Sequence, residues 1–169
     1  MMPPLLAIIA RLTAMVVFLS GSSVIGYTQA LPEPLKGNPY SVALVASVLQ
    51  MEKVWGNVHN GMDYSHLIVH KSPDITDDLP TQFDKHSVNY LDSKMLIERY
   101  RALNKAFPVL EVSPIQVDGS RLKVTVTVSW FSYEHRQLRF GVSDWSNVEF
   151  TYDCGQEKFV LQSVKLGGV

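Results

Sequence analysis

Cysteine is almost missing from this chain: Cys154 stands alone, so no intramolecular disulfide can hold the fold and its core must do so. Charge is sparse as well. Asp, Glu, Lys and Arg make up 18% of the residues and nearly cancel, leaving a formal net charge of −1. There is no basic stripe and no long run of like charge, which argues against a nucleic-acid partner. The signatures of several familiar chemistries are also missing. No G-x-S-x-G elbow supports serine hydrolysis, and neither G-x-G-x-x-G nor G-x-x-x-x-G-K-[ST] occurs. Asp74, Asp77 and Asp78 form the densest acidic cluster, but they lack calcium-loop spacing and read as a solvated connection. No cofactor and no metal is expected.

What the chain does have is apolar substance. Of its 169 residues, 46% are hydrophobic, the composition of a globular domain with a terminal appendage. The appendage is the first thirty residues, whose only charge is Arg11. Leu12 to Leu19 make an apolar centre, small residues follow from Ser20 to Ser23, and Thr28-Gln29-Ala30 offers a peptidase site. Residues 1–30 are therefore expected to be a cleaved signal peptide, and 31–169 a single exported α+β domain. Removing thirty residues leaves 139, and losing Arg11 leaves fourteen basic against sixteen acidic side chains, a formal charge of −2. Two other readings compete: an uncleaved anchor over residues 5–27, and a buried helix, which the lack of a clean apolar stripe disfavours.

The stretch Arg121 to Tyr133 organises the rest. Leu122, Val124, Val126, Val128 and Trp130 alternate with Arg121, Lys123, Thr125, Thr127 and Ser129, the period of a strand with one buried and one wet face. Around it lie two helix candidates. Asn38-Pro39 opens one that Gly56 can end, with a broad apolar face through Leu44, Val45, Val48, Leu49, Met51 and Trp55. Asp92 caps a second, striped by Leu96, Tyr100, Leu103 and Phe107, which Pro108 is expected to stop. Residues 57–63 read as a loop around Asn60-Gly61, followed by a short strand within YSHLIVHKS and a brief edge strand at Ser87 to Leu91.

From Val109 onward the chain reads as a meander. Val109 to Val117 makes one strand, Asp118-Gly119 turns into the Arg121 strand, and Glu134 to Gln137 makes the next connection. Leu138 to Val142 is a short strand, 144–147 a further turn, and a strand from Val148 carries Phe150, Tyr152 and Cys154 on one face. Phe159 to Leu166 is the last strand, with Gly167-Gly168 fraying. The result is α+β: a curved antiparallel sheet of about four to six strands packed on one or two helices, without parallel βαβ units. This order of elements resembles the cystatin-like and NTF2-like layouts, in which such a sheet wraps a long helix; the likeness is an analogy of layout and no residue motif carries it.

Two constellations bear on function. His59, Asp63, His66 and His70 have helical metal-ligand spacing, but Gly61 and Leu67-Ile68-Val69 argue for loop and strand. On a strand His66 and His70 would stand roughly 13 Å apart, so surface histidines are the better reading. The second is aromatic: Trp130, Phe131, Tyr133, Trp145 and Tyr152, with His135 and Asp144 nearby. Core packing explains most such aromatics, but Phe131 falls on the wet face of its strand. Phe131, Tyr133, His135 and Trp145 are the candidate binding residues. Cys154 has no base beside it in sequence and reads as core.

These features favour a non-catalytic module binding a small-molecule ligand or a protein, with the membrane a partner only if the first segment stays attached. A small pocket enzyme of hydrolase or isomerase type, using His135, Asp144 or Asp153 for proton transfer, is the alternative; a membrane-tethered accessory subunit is a third. Intact mass of the exported protein checks the address: the expected chain starts at Leu31, whereas one still starting at Met1 would support the anchor.

Overall fold

The computed structural model describes residues 38–73 and 79–168. Residues 1–30, expected to be a signal peptide or anchor, and the Asp74, Asp77 and Asp78 cluster therefore lie outside the described residues. The first helix, α1, spans Pro39–Trp55 and is set by its ends. The Asn38 side chain accepts from the Tyr40 N–H at 3.0 Å, Pro39 occupies the first helical turn, and the Gly56 N–H returns to the Glu52 carbonyl with Gly56 at φ +86°. Every residue from Ser41 to Val48 is buried, so the helix has no continuous wet face.

Among the described residues ten strands follow: β1 (Val58–His59), β2 (Met62–Asp63), β3 (His66–His70), β4 (Gln82–Phe83), β5 (His86–Leu91), then helix α2 (Ser93–Leu103), β6 (Phe107–Val112), β7 (Gln116–Asp118), β8 (Arg121–Glu134), β9 (Gln137–Asp153) and β10 (Lys158–Gly168). Strands β1 and β2 form a separate ribbon. The others make one eight-stranded sheet in the order β10-β9-β8-β6-β3-β5-β4, with β7 also on β8. The long strands pair antiparallel, as the alternation predicts. The sheet is open rather than a closed barrel, and the protein is α+β with strands predominating.

The expectation of a sheet without parallel pairs is not met. Strand β3 runs parallel to both β5 and β6. The reason is α2, whose length carries the chain from β5 back across to β6 with β3 between them, the crossover that parallel strands demand. The sheet also has more strands than the four to six expected, because the extra ones are only two or three residues long and carry little alternation to read.

Alternation also places the helices. On β3, Leu67 and Val69 join α1 in the larger core, whereas Ile68 packs with Leu96 of α2 in a second cluster. On β6, Leu110 and Val112 face α1, while Phe107 and Val109 face α2. The helices thus cover opposite faces of the sheet. On β8, Leu122 to Val128 turn their even positions to α1, and the odd face is buried at Ser129 and at Phe131, which packs in the α2 cluster.

Several boundaries shift for identifiable reasons. Helix α2 begins where Asp92 predicts, its carboxylate accepting from the Met95 N–H at 2.8 Å, but ends at Asn104 in the left-handed region. Phe107 and Pro108 belong to β6, where Phe107 pairs with Phe131 and packs between the sheet and α2. The expected Val109 to Val117 strand breaks at Ser113 to Ile115, between β6 and β7. Strand β9 is continuous where a turn at 144–147 was expected. Cys154 is exposed, in the turn between β9 and β10, not core. Gly167 and Gly168 belong to β10 and pair with Trp145 and Asp144. A Cβ on Gly167 would fall 2.2 Å from the Trp145 ring, so the indole lies across the bare glycine backbone.

Neighbours on β8 should respond unequally to truncation. Phe131 is fully buried and Trp130 is 37% exposed. Phe131→Ala should cost about 3–5 kcal/mol and Trp130→Ala clearly less, read as the shift in urea midpoint. Equal losses would contradict a second core under α2.

Candidate functional site

A single extra residue in β9 shapes the site. Opposite β8, Val128 pairs with Asp144 but Ser129 pairs with Val142, leaving Ser143 as a bulge. Because side chains alternate along a strand, the bulge reverses which face each half of β9 presents. Phe140, before it, joins the α2 cluster; Val148 and Phe150, after it, join the α1 core. Asp144 and Ser146 are carried to the α1 side, where the Ser146 hydroxyl meets that of Ser47 in α1.

Asp144 is only 4% exposed. A buried carboxylate must be solvated by the protein, and two groups do this directly. Its Oδ2 accepts from the Asn60 side-chain amide at 2.9 Å and from the Ser143 hydroxyl at 2.9 Å. Its Oδ1 stands 3.5 Å from His59 Nε2. Asn60 and His59 come from the β1–β2 ribbon, in which Val58 pairs with Asp63 and His59 with Met62. That register leaves Asn60-Gly61 as a two-residue turn with φ values of +46° and +73°, the left-handed pair that a tight hairpin requires.

The turn is fitted to its seat. A Cβ on Gly61 would stand 2.8 Å from Trp130 Cη2, so only glycine lets the ribbon lie against that indole. The His59 ring stacks on Trp55, at the end of α1, with centroids 4.5 Å apart and planes 18° from parallel. The ribbon tip therefore forms a flap over Asp144, clamped between two tryptophans. Two-stranded ribbons are marginal on their own, so these tip contacts hold it.

Tyr64 directly follows the ribbon and is completely buried, and its hydroxyl has no hydrogen-bond partner among the described residues. Burial pushes the phenol well above its ordinary pKa, and the negative fields of Asp144 and Glu52 add to the shift. Tyr64 thus stays a neutral donor. Glu52, on α1, is held by Lys85 Nζ at 2.6 Å and faces His86 Nε2 at 3.3 Å, without a hydrogen bond to that nitrogen. His86 is also fully buried, and its Nδ1 lies 2.6 Å from the Tyr64 carbonyl, which can only accept, so Nδ1 carries the hydrogen.

The four residues singled out from sequence are dispersed. Phe131 and Tyr133 share the cluster under α2, where Arg101 lies over the Tyr133 ring at 5.4 Å. His135 sits at the exposed tip of the β8–β9 hairpin with φ +52°. Trp145 lies over Gly167, on the face of β9 turned away from Asp144. The histidines of the HNGMDYSHLIVH stretch separate too: His59 turns to Asp144, His66 to Ser87 at 2.8 Å, and His70 to Ser93 at 3.1 Å. No three His, Cys, Asp or Glu side chains gather as metal ligands among the described residues.

Sequence reasoning selected Asp144 as a proton-transfer candidate but missed its partners. Asn60-Gly61 signalled a turn, yet nothing local says that the turn docks on a residue 84 positions away. No family model, curated protein or solved structure matches the chain.

Chemically, the site joins a shielded carboxylate, an imidazole and a neutral phenol beneath a small flap. The unpartnered phenol yields a prediction. An unsatisfied buried hydroxyl costs free energy, so Tyr64→Phe should stabilise the protein by about 1 kcal/mol, read from urea unfolding. A loss of stability would mean that the hydroxyl already has a partner.

Proposed function

We propose that this chain is an exported binding module for a small polar ligand, taken up beneath the β1–β2 flap against Asp144 and Tyr64. The observation that carries this reading is the Tyr64 hydroxyl, buried, unpartnered and within the field of Asp144, a buried carboxylate that Asn60 and His59 of the flap cover and Ser143 of β9 also holds. A ligand replacing Asn60 on Asp144 and accepting from Tyr64 would satisfy both groups. The reading is supported by α1 packing against one face of the sheet, as a helix does in the cystatin-like and NTF2-like layouts that the order of elements resembles. Export rests on the composition of residues 1–30, and tethering would follow if that segment stays attached. The sparse, balanced charge supports a small molecule rather than nucleic acid.

A second reading has its own observation. His59 Nε2 and Asp144 Oδ1 stand 3.5 Å apart, close enough for proton exchange once a substrate draws them together. A pocket enzyme of isomerase type would use that pair, with His59 in the place the sequence suggested for His135.

A panel of small amines, polyols and carboxylic acids, screened by thermal shift, tests the binding reading. A true ligand at a hundred times its Kd should raise Tm by on the order of 5–10 °C. Asp144→Asn and Tyr64→Phe should reduce that rise while remaining folded. Compounds that shift both variants as much as the parent would place binding elsewhere, and no shift across the panel would count against a polar ligand.

A further inference from the structure

The α2 face of the sheet carries a second polar cluster, which shares no residue with the Asp144 site. His70 is the last residue of β3, Ser93 opens α2 directly after β5, and Glu111 lies near the end of β6. These strands are the parallel part of the sheet. Their carboxyl ends, where crevices of parallel sheets take ligands, bring the three side chains together. No sequence motif marks them, because they lie on three different elements.

Their geometry is serial. Ser93 Oγ is 3.1 Å from His70 Nε2, and His70 Nδ1 is 3.7 Å from Glu111 Oε1. The carboxylate is fixed from behind by the Ser129 hydroxyl, which donates to Oε2 at 2.7 Å. The imidazole stacks on Phe140, with centroids 5.2 Å apart and planes 21° from parallel. The carboxylate facing Nδ1 favours the tautomer with its hydrogen there, which leaves the Nε2 lone pair for the Ser93 hydroxyl. Side-chain exposures of 18% for His70 and 32% for Glu111 leave the group shielded but reachable.

The other serine–histidine contact shows what an idle pair looks like. Ser87 donates its hydroxyl to the Ser65 carbonyl at 3.1 Å, so His66 Nδ1 must donate to Ser87 and cannot act as its base. Ser93 has no competing acceptor among the described residues. With the hydrogen on Nδ1, the Ser93 hydroxyl can give its own to Nε2 of a ring whose other nitrogen faces a carboxylate at 3.7 Å, a serial order of the kind that activates a nucleophile.

We propose that Ser93, His70 and Glu111 form a nucleophile, general base and positioning carboxylate that hydrolyse small activated esters. Ser93 Oγ attacks the ester carbonyl carbon while His70 Nε2 takes its proton. The tetrahedral adduct collapses, the bond to the alcohol oxygen breaks, and His70 returns the proton to that oxygen. Water then attacks the acyl-serine, giving its proton to His70. The acyl–oxygen bond breaks, Ser93 regains the proton, and the net change is ester plus water to acid plus alcohol.

A fluorophosphonate probe tests this on the full chain. The probe loses fluoride as its phosphorus bonds to an activated serine oxygen, and peptide mapping locates the adduct. A single adduct on Ser93 of the unaltered protein, removed by Ser93→Ala, is expected, together with turnover of p-nitrophenyl acetate. His70→Gln should slow labelling by about 100-fold or more. Glu111→Gln should slow it too, with partial recovery in Glu111→Asp and an unchanged thermal midpoint in both. No adduct, an adduct on another serine, or undiminished labelling in a folded His70→Gln variant would overturn the proposal. The mapping on the unaltered protein needs no variant to fold, and its outcome is independent of ligand binding at Asp144.

Discussion

The central strands have to bury both of their faces at once, and the rest of the structure follows from that demand. Strands β3 and β6 send alternate side chains to α1 and to α2, and β8 does the same where α2 reaches it. Each helix covers one face, so two separate cores form back to back. The larger is aliphatic and wraps an α1 that is buried nearly all round. The smaller is aromatic, with Phe107, Phe131 and Phe140 meeting at centroid separations of 5.3 and 5.4 Å. Offset and edge-on rings of this kind add to what their buried area contributes.

Each face also gathers polar groups where its helix ends or begins. On the α1 side they collect at the last turns of the helix, where Glu52 meets Lys85 and His86, Trp55 stacks on His59, and the β1–β2 ribbon reaches Asp144. On the α2 side they collect at the first turn, where Ser93 meets the ends of β3 and β6. The α1-side groups are almost wholly enclosed, with Asp144 and Tyr64 buried, whereas His70 and Glu111 on the α2 side keep part of their side chains exposed. The bulge at Ser143 ties the two sides together. It lets β9 give Phe140 to one core and Asp144 to the opposite side of the sheet. Without that extra residue, Asp144 would fall on the same face as Phe140.

Much of the architecture is legible along the chain. Asn38-Pro39 and Asp92 start helices where capping chemistry says they should, and Gly56 ends the first. The turn from β7 into β8 falls at Gly119-Ser120, one residue past the Asp118-Gly119 pair that signals it, because Asp118 pairs with Arg121; the alternation from Leu122 to Val128 matches the burial of β8. The places where sequence reasoning fails share a cause. Phe107 was read as the end of a helical stripe, but tertiary packing against Phe131 draws it into β6. Gly167 was read as fraying because a glycine says nothing of the indole that covers it. Cys154 was read as core by extending an alternation that the β9–β10 turn interrupts.

By itself the sequence determined where the two helices start, the alternation of β8 and the absence of an intramolecular disulfide, because caps, turns and period-two patterns act over a few residues. Only the tertiary structure decided that β3 lies parallel between β5 and β6, that the helices take opposite faces, and which polar side chains meet. Asn60 reaches Asp144 across 84 positions, and Ser93 reaches His70 across 23. Contacts of that kind leave no local pattern, since each residue taken alone is an ordinary turn, strand or helix position.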